Sequence, residues 1–380
     1  MNSILEKACV LDLIWDLQKA DSALYDVVLQ SYPEIFKAFE ILQKQCPVAS
    51  TCEEFVEGRF FRLKGHARSF CMTVGDGVLV FKGSEPFSKD YLSVYERSWI
   101  HPTDDMPSTI EGFVMFEHEV YLAMTRKAAL NCAEVTKQFV KDYHTQINLL
   151  PHVPIPLHVF MIPDSITKCF LDTVSPFLSN RSQFSVHDYT MTLAKDGLAV
   201  YVYYYAGHPL RAAHAMGDFP GGYDIWRQER DLKNGEQFDL KAISNSWISL
   251  VANMFGVGYV PTTWLHTGNC VHPQNLVMDG GMCDIDSIEP LTNLNSDRDV
   301  ARSILVSITT LAKSISALRS VDVQVAFTSV WYELSKQIRL NPYKLTYDTR
   351  FLRLFNGNDL DIITELSNML SSTSSILKSE

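Results

Sequence analysis

The stretch Thr267–Pro290 reads TGNCVHPQNLVMDGGMCDIDSIEP, and its reading decides the rest of the chain. A polar loop closes on Asn275 and runs into the short apolar segment Leu276–Met278. Asp279-Gly280-Gly281 then supplies turn residues, and a second short run ends in Asp284 and Asp286. Gly reaches positive φ at no steric cost, and Asp and Asn bond to their own backbone, so such triplets mark tight turns. The pattern predicts a hairpin that brings Asn275 and the two aspartates to one end. Amide and carboxylate oxygens gathered there suit a hard cation such as Mg²⁺, which takes oxygen ligands together with phosphates. The plainer alternative is a structural turn with capping acids.

Working outward, the flanking sequence on both sides is helical. Leu240–Phe255 places Ile243, Trp247, Leu250, Val251 and Met254 on one face. Beyond Pro290 the same period predicts helices over Asp297–Arg319, Val321–Arg339 and Asp359–Leu377. The segment 216–231, MGDFPGGYDIWRQERD, reads as a Gly-rich surface loop. Arg211, Arg227 and Arg230 lie nearby and are either solvated or able to meet a phosphate or an acidic substrate.

Upstream, the period changes to that of strands. RFFRLKG, SFCMTVGDG and VLVFKGSEP give three short runs of aromatic and β-branched residues. Asp76-Gly77 predicts a type I′ hairpin between the last two. The turn before them, Lys64–Ser69, is basic and contains Gly65 and Arg68, and the third run ends at Lys82. Asn131–Leu149 has the helical period, with Glu134 in its first turn; Glu117 and Glu119 lie upstream. The prolines of LPHVPIPLHVFMIP exclude a central strand before Leu157–Ile162. Two alternating strands are expected on either side of Lys195-Asp196-Gly197, the second ending at Ala206-Gly207-His208-Pro209. Residues 1–50, with apolar residues such as Leu13, Leu17, Leu24 and Val28 at helical spacing, predict an N-terminal helical extension. The expected organisation is α+β: helices over 1–50, an antiparallel-sheet lobe over 51–207 and a mostly helical lobe over 208–380.

This order of parts resembles the protein-kinase-like fold. Strand, glycine-containing basic turn, strand, tight turn and strand with Lys is the layout of that family's small lobe. The segment VFKGSEPFSK is similar to the lysine segment of selenoprotein-O-like pseudokinases. Gly268-Asn269-Cys270-Val271-His272-Pro273-Gln274-Asn275 resembles the His-Gly-Asp-x-His-Pro-x-Asn loop of aminoglycoside-phosphotransferase-like kinases, matching it at His272, Pro273 and Asn275. The resemblance implies ATP and Mg²⁺ as cofactors. Lys82, positioned by Glu134, would hold phosphates, with Gly65, Arg68 and Gly207 around the nucleotide. Asn275 and Asp284 would bind the metal, and Asp286 would be a second ligand or a base. Cys270 stands where the family has its catalytic Asp, so no carboxylate remains in the loop to accept a proton. Three readings follow: transfer of a phosphoryl or AMP group from ATP to an unidentified acceptor, a catalytically inactive pseudokinase that acts as a scaffold, or a transferase or amidase using Cys270 as nucleophile.

Composition narrows the setting. The chain has 380 residues, is 46% hydrophobic and 20% charged, and carries a net charge of -11. A globular fold is expected, and the acidity argues against nonspecific binding to nucleic acid or to an anionic membrane. The sequence shows no apolar run long enough to span a bilayer, and its first residues read as an amphipathic helix rather than a signal peptide. The eight cysteines form no CxxC pair, so reduced thiols in the cytoplasm are expected rather than a zinc site.

Overall fold

Leu198–Tyr205, LAVYVYYY, is an unbroken run of apolar and aromatic residues, and all eight are buried. A strand buried on both faces must lie inside a sheet with cover on each side. The computed structural model describes residues 12–36, 60–61, 69–83, 124–165, 167–168, 195–207, 209–212, 238–264, 267–285 and 287–355. It is α+β, and the chain divides into two units: Met1–Lys137 with Ile155–Gly207, and Gln138–Pro154 with His208–Glu380.

The first unit is built on a seven-stranded sheet. Its strands are β1 (Asp12–Asp16), β2 (Phe60–Phe61), β3 (Ser69–Val74), β4 (Gly77–Lys82), β5 (Met124–Thr125), β6 (Ile155–Met161) and β7 (Leu198–Tyr205). The order is β1-β6-β7-β4-β3-β2, with β5 also on β7. Every pairing among them is antiparallel. Lys82 lies opposite Tyr201 and Val80 opposite Tyr203, while Val159 joins Tyr201 to Trp15. These residues share one face. Helix α3 (Arg126–Ile147), whose residues through Lys137 belong to this unit, covers it: Trp15 Nε1 donates to Glu134 Oε1 at 2.6 Å. The opposite face carries Tyr204, Val202 and His158. Here α1 (Leu17–Ala20), α2 (Ser22–Ser31) and the turn after them supply cover. Tyr204 Oη donates to Glu34 Oε1 at 2.7 Å, and the Tyr32 ring sits 5.0 Å from that of Tyr204.

Several expectations are corrected. Residues 12–16 form an edge strand instead of continuing a helix, because β6 offers a free edge and tertiary pairing outweighs the helical spacing. Those five residues therefore belong to the sheet. Strand β6 begins at Ile155 and includes Pro156. Proline is tolerated there because β1 pairs only from His158 onward and the register shifts at Pro156. The hairpin turn is Gly75-Asp76 rather than Asp76-Gly77, for Val74 pairs with Gly77 and Gly75 takes the positive φ of +59°. Strand β7 does not alternate, since helices lie over both faces. Helix α3 starts at Arg126, five residues before the expected Asn131, because the turn at Lys195-Asp196-Gly197 caps it: Asp196 Oδ2 accepts from Lys127 N–H at 2.8 Å and Gly197 O from Arg126 N–H at 3.1 Å.

The second unit holds α4 (Leu240–Gly256), β8 (Tyr259–Pro261), β9 (Thr263–Trp264), β10 (Thr267–Gly268), β11 (Ile288–Pro290), α5 (Asp297–Arg319), α6 (Val323–Leu340) and α7 (Thr349–Phe355). Side chains cap the long helices: Asp239 accepts from Lys241 and Ala242 N–H, Ser296 from Asp299 N–H, and Asp322 from Gln324 N–H. The end of α3 belongs here as well. Phe139 packs edge-on against Tyr259, whose Oη donates to Asp142 Oδ2 at 2.6 Å. Within α5, Asp299–Arg319 is long and apolar enough to cross a bilayer by length and composition, contrary to the sequence expectation, but 72% of its apolar window is buried inside the protein. That burial is what a core helix shows.

His158 in β6 gives the first unit a pH dependence. Burial pushes its pKa down to about 4, with Asp16 opposing and Lys19 assisting. The unfolded chain takes up this proton near pH 6.5 and the folded one only near 4. The stability from the neutral imidazole is therefore whole above pH 6.5 and is lost as pH falls toward 4, by about 3 kcal/mol at most. Denaturant unfolding across this range should show a steeper acid loss for the wild type than for His158→Phe. Parallel curves would mean that His158 titrates alike in both states.

Candidate functional site

The stretch that opened the sequence reading folds back on its own beginning. Strand β11 pairs with β8, Glu289 opposite Val260. Thr262 N–H donates to Ser287 O and Leu291 N–H to Gly258 O, each at 2.8 Å. Between these closures lie the small β9–β10 hairpin, a 3-10 turn at Asn269–Val271 and the loop to Asn275. The 3-10 turn rests on α5, where buried Ser314 Oγ lies 3.1 Å from Val271 O.

The expected hairpin is present. Leu276 bridges Met282, and Val277 N–H donates to Gly281 O at 2.9 Å. Gly280 takes φ +95°, and a Cβ there would lie 2.6 Å from Ser246 Cβ, so the turn requires glycine on both counts. At the open end Cys283 N–H donates to Asn275 O at 2.8 Å. That bond sets residue 275 across from residue 283 and leaves Asp284 as the next residue along. Asn275 and Asp284 are both half-buried. The hairpin is pinned from three directions: Trp247 Nε1 donates to Val277 O at 2.9 Å, Met282 N–H to His152 O at 3.1 Å, and Met278 N–H to Leu210 O at 2.8 Å. His152 Nε2 also lies 3.4 Å from Asp279 Oδ2.

An amide oxygen and a carboxylate at one hairpin end are hard donors of the kind Mg²⁺ takes, with water and phosphate completing its shell. Among the described residues no three His, Cys, Asp or Glu side chains gather as a metal set. Asp286, expected as a further ligand, lies outside the described residues, as do Gly65, Arg68, Glu117 and Glu119. Cys270 is fully buried, and His272 Nδ1 accepts from Gln274 N–H at 3.3 Å.

In the first unit, Lys82 ends β4 and is only 7% exposed. It lies opposite Tyr201, whose hydroxyl pKa is raised by burial, with Cys132 and Tyr203 adding to the rise and Thr136 and Lys82 opposing it. Glu134, expected to position Lys82, is exposed, and its oxygens are taken by Trp15 Nε1 and by Lys137 Nζ at 2.5 Å. Burial works to raise its pKa, but Lys137 and Trp15 outweigh this and hold it below the usual carboxylate range. Gly207 turns the chain out of β7 at φ +111°.

Sequence reasoning missed a bridge beside the hairpin. Arg211 bridges Val277 in antiparallel fashion, and Ala212 N–H donates to Leu276 O at 2.8 Å. A single bridged residue gives no periodic signal, so nothing in the sequence announces this pairing. It also missed His152, which precedes the sheet's sixth strand. No protein-family model matches the sequence, and no curated protein matches it.

The buried Trp247 bond should be the hairpin's main tertiary anchor. Trp247→Phe leaves the Val277 carbonyl with the Gly280 N–H as its one remaining donor among the described residues, at a cost of about 0.5–1.5 kcal/mol. Denaturant unfolding should show that loss, and hydrogen exchange should show faster exchange at the amides of Met278 and Gly280 than at those of α6. Equal exchange in both regions would assign the anchoring elsewhere.

Proposed function

We propose that the protein is an atypical kinase-like transferase that moves a phosphoryl or AMP group from Mg-ATP to an acceptor. The observation that supports this reading is the Cys283–Asn275 backbone bond, which brings the backbone of Asn275 to that of Cys283, one residue before Asp284. Asn275 and Asp284 are the residues that would hold the metal. The metal's contribution when bound is to neutralise charge on phosphate oxygens. Lys82, buried at the end of β4, is the residue that would hold phosphate. The antiparallel sheet and the helical second unit accord with the fold that the sequence resembles.

The residues also limit the chemistry. The loop before Asn275 has no carboxylate, so a hydroxyl acceptor must lose its proton to another group, and Asp286 is the residue proposed for it. Phosphoryl and nucleotidyl transfer depend mainly on positioning and electrostatics, so the absence of a base in this loop does not by itself end catalysis. Nucleophilic attack by Cys270 has the least support. A wholly buried thiol lacks the exposed, electropositive surroundings that make a reactive thiolate. The loop's missing base favours a second reading, in which the protein binds nucleotide without turning it over and serves as a scaffold. The four described cysteines, Cys71, Cys132, Cys270 and Cys283, are buried free thiols, which suits a reducing compartment, and we place the protein in the cytoplasm.

Mg-ATP well above its dissociation constant should raise the melting temperature by about 2 °C or more, and Asp284→Ala and Asn275→Ala should each abolish the rise. ATP labelled at the α- or the γ-phosphate then separates the chemistries: acceptor carrying α-label means AMP transfer, and γ-label means phosphorylation. A melting shift with neither label transferred favours the scaffold. No shift, with both variants behaving as the wild type, removes the nucleotide site altogether.

A further inference from the structure

Arg211 stands beside the candidate hairpin, and among the described residues no counter-charge pairs with it. Its backbone is fixed on both sides, by Met278 N–H donating to Leu210 O and by Ala212 N–H donating to Leu276 O, each at 2.8 Å, so its side chain leaves a braced backbone. The residue is half-buried, and its Nε is buried with no hydrogen-bond partner. Among the described residues no carboxylate or carbonyl pairs with the guanidinium. Asp279, at the turn of the strand that Arg211 pairs with, is committed to His152 and to Gly281 N–H instead.

This arrangement is costly in an empty protein. Arginine cannot shed its proton to escape burial, so a buried guanidinium needs an anion or acceptors around it. Scarcity of acid is not the reason, for the chain carries 44 Asp and Glu against 33 Lys and Arg. A side chain held by a paired strand, with a dry donor left unmet, is suited to a ligand that brings its own oxygens. The planar fork of arginine matches an oxyanion with two bonds at once, which a lysine cannot do.

We propose that Arg211 is an oxyanion-binding residue and that it takes a phosphate group lying beside the hairpin. The inference deepens the transferase reading, on which the choice of phosphate over carboxylate rests. The phosphate belongs either to the nucleotide or to a phosphorylated acceptor; the chemistry at Arg211 is the same.

Thermal unfolding tests this with inorganic phosphate, with ATP under chelator and with Mg-ATP, each against chloride at matched ionic strength. Inorganic phosphate or chelated ATP should raise the wild-type melting temperature by about 2 °C or more. Arg211→Leu should lose that rise and, in chloride, should melt no lower than the wild type, because the unpaired charge is gone. Arg211→Lys should fold and keep only a fraction of the rise. Dependence on Arg211 with ATP alone assigns the phosphate to the nucleotide. A rise from inorganic phosphate that adds to that of Mg-ATP assigns it to the acceptor. The proposal is overturned if neither anion gives a rise that depends on Arg211, if Arg211→Lys behaves as the wild type, or if Arg211→Leu melts lower in chloride, which would make the guanidinium structural. Asp284→Asn separates the two readings. It should remove the Mg-ATP response and spare the rise from inorganic phosphate. A wild type that answers phosphate through Arg211 but ignores Mg-ATP sinks the transferase and leaves the oxyanion site standing.

Discussion

The candidate site depends on one backbone hydrogen bond, from Cys283 N–H to Asn275 O. It converts a separation in sequence into adjacency in space. A loop of this length would otherwise spend its freedom on many conformations, and closing it costs entropy. The structure meets that cost in nested steps. The β8–β11 pairing closes the outer loop, the Leu276–Met282 bridge closes the inner one, and the Gly280 turn ends it. Each closure shortens the span left for the next. Tertiary anchors then hold the result, with buried Trp247 on one carbonyl and Leu210 on one amide. Polar side chains at the open end need little support of their own, because the backbone has already placed them.

A different constraint governs the first unit. Its central strands are covered on both faces, so almost any polar group in them is expensive. The polar groups that remain are therefore informative. Tyr204 reaches Glu34, and Trp15 reaches Glu134 at the margin of the sheet. Lys82 sits at the end of β4, opposite buried Tyr201.

How much of this was legible in the sequence follows from the same physics. The helix Asp297–Arg319 was read to the residue because its period, its Ser296 cap and its left-handed end at Ser320 agree with one another. The Asp-Gly-Gly hairpin was legible because turn chemistry is local. Residues 12–16 were not: their apolar spacing suits a helix, and only the free edge of β6, far along the chain, makes them a strand. Pro156 misled for the same reason, since its missing N–H matters only where a neighbour strand is present to receive it. Glu134 was read from its place on a helix, but its partners come from Trp15, 119 residues away, and from Lys137. Local rules found the elements, and long-range pairing decided the exceptions.

Arg211 shows what that limit means for function. In sequence it was one of three arginines near a loop, with solvation the plain default. Its significance arises only when Arg211 bridges Val277 beside the hairpin, where one donor of an ordinary cation is removed from water. The hairpin then carries opposite chemistries close to one another: oxygen donors at Asn275 and Asp284, and a nitrogen donor at Arg211. A cation alone would satisfy the first and an anion alone the second. On the proposed reading, Asn275 and Asp284 would hold a metal and Arg211 would hold a phosphate oxygen, so one metal-bound phosphate would suit both.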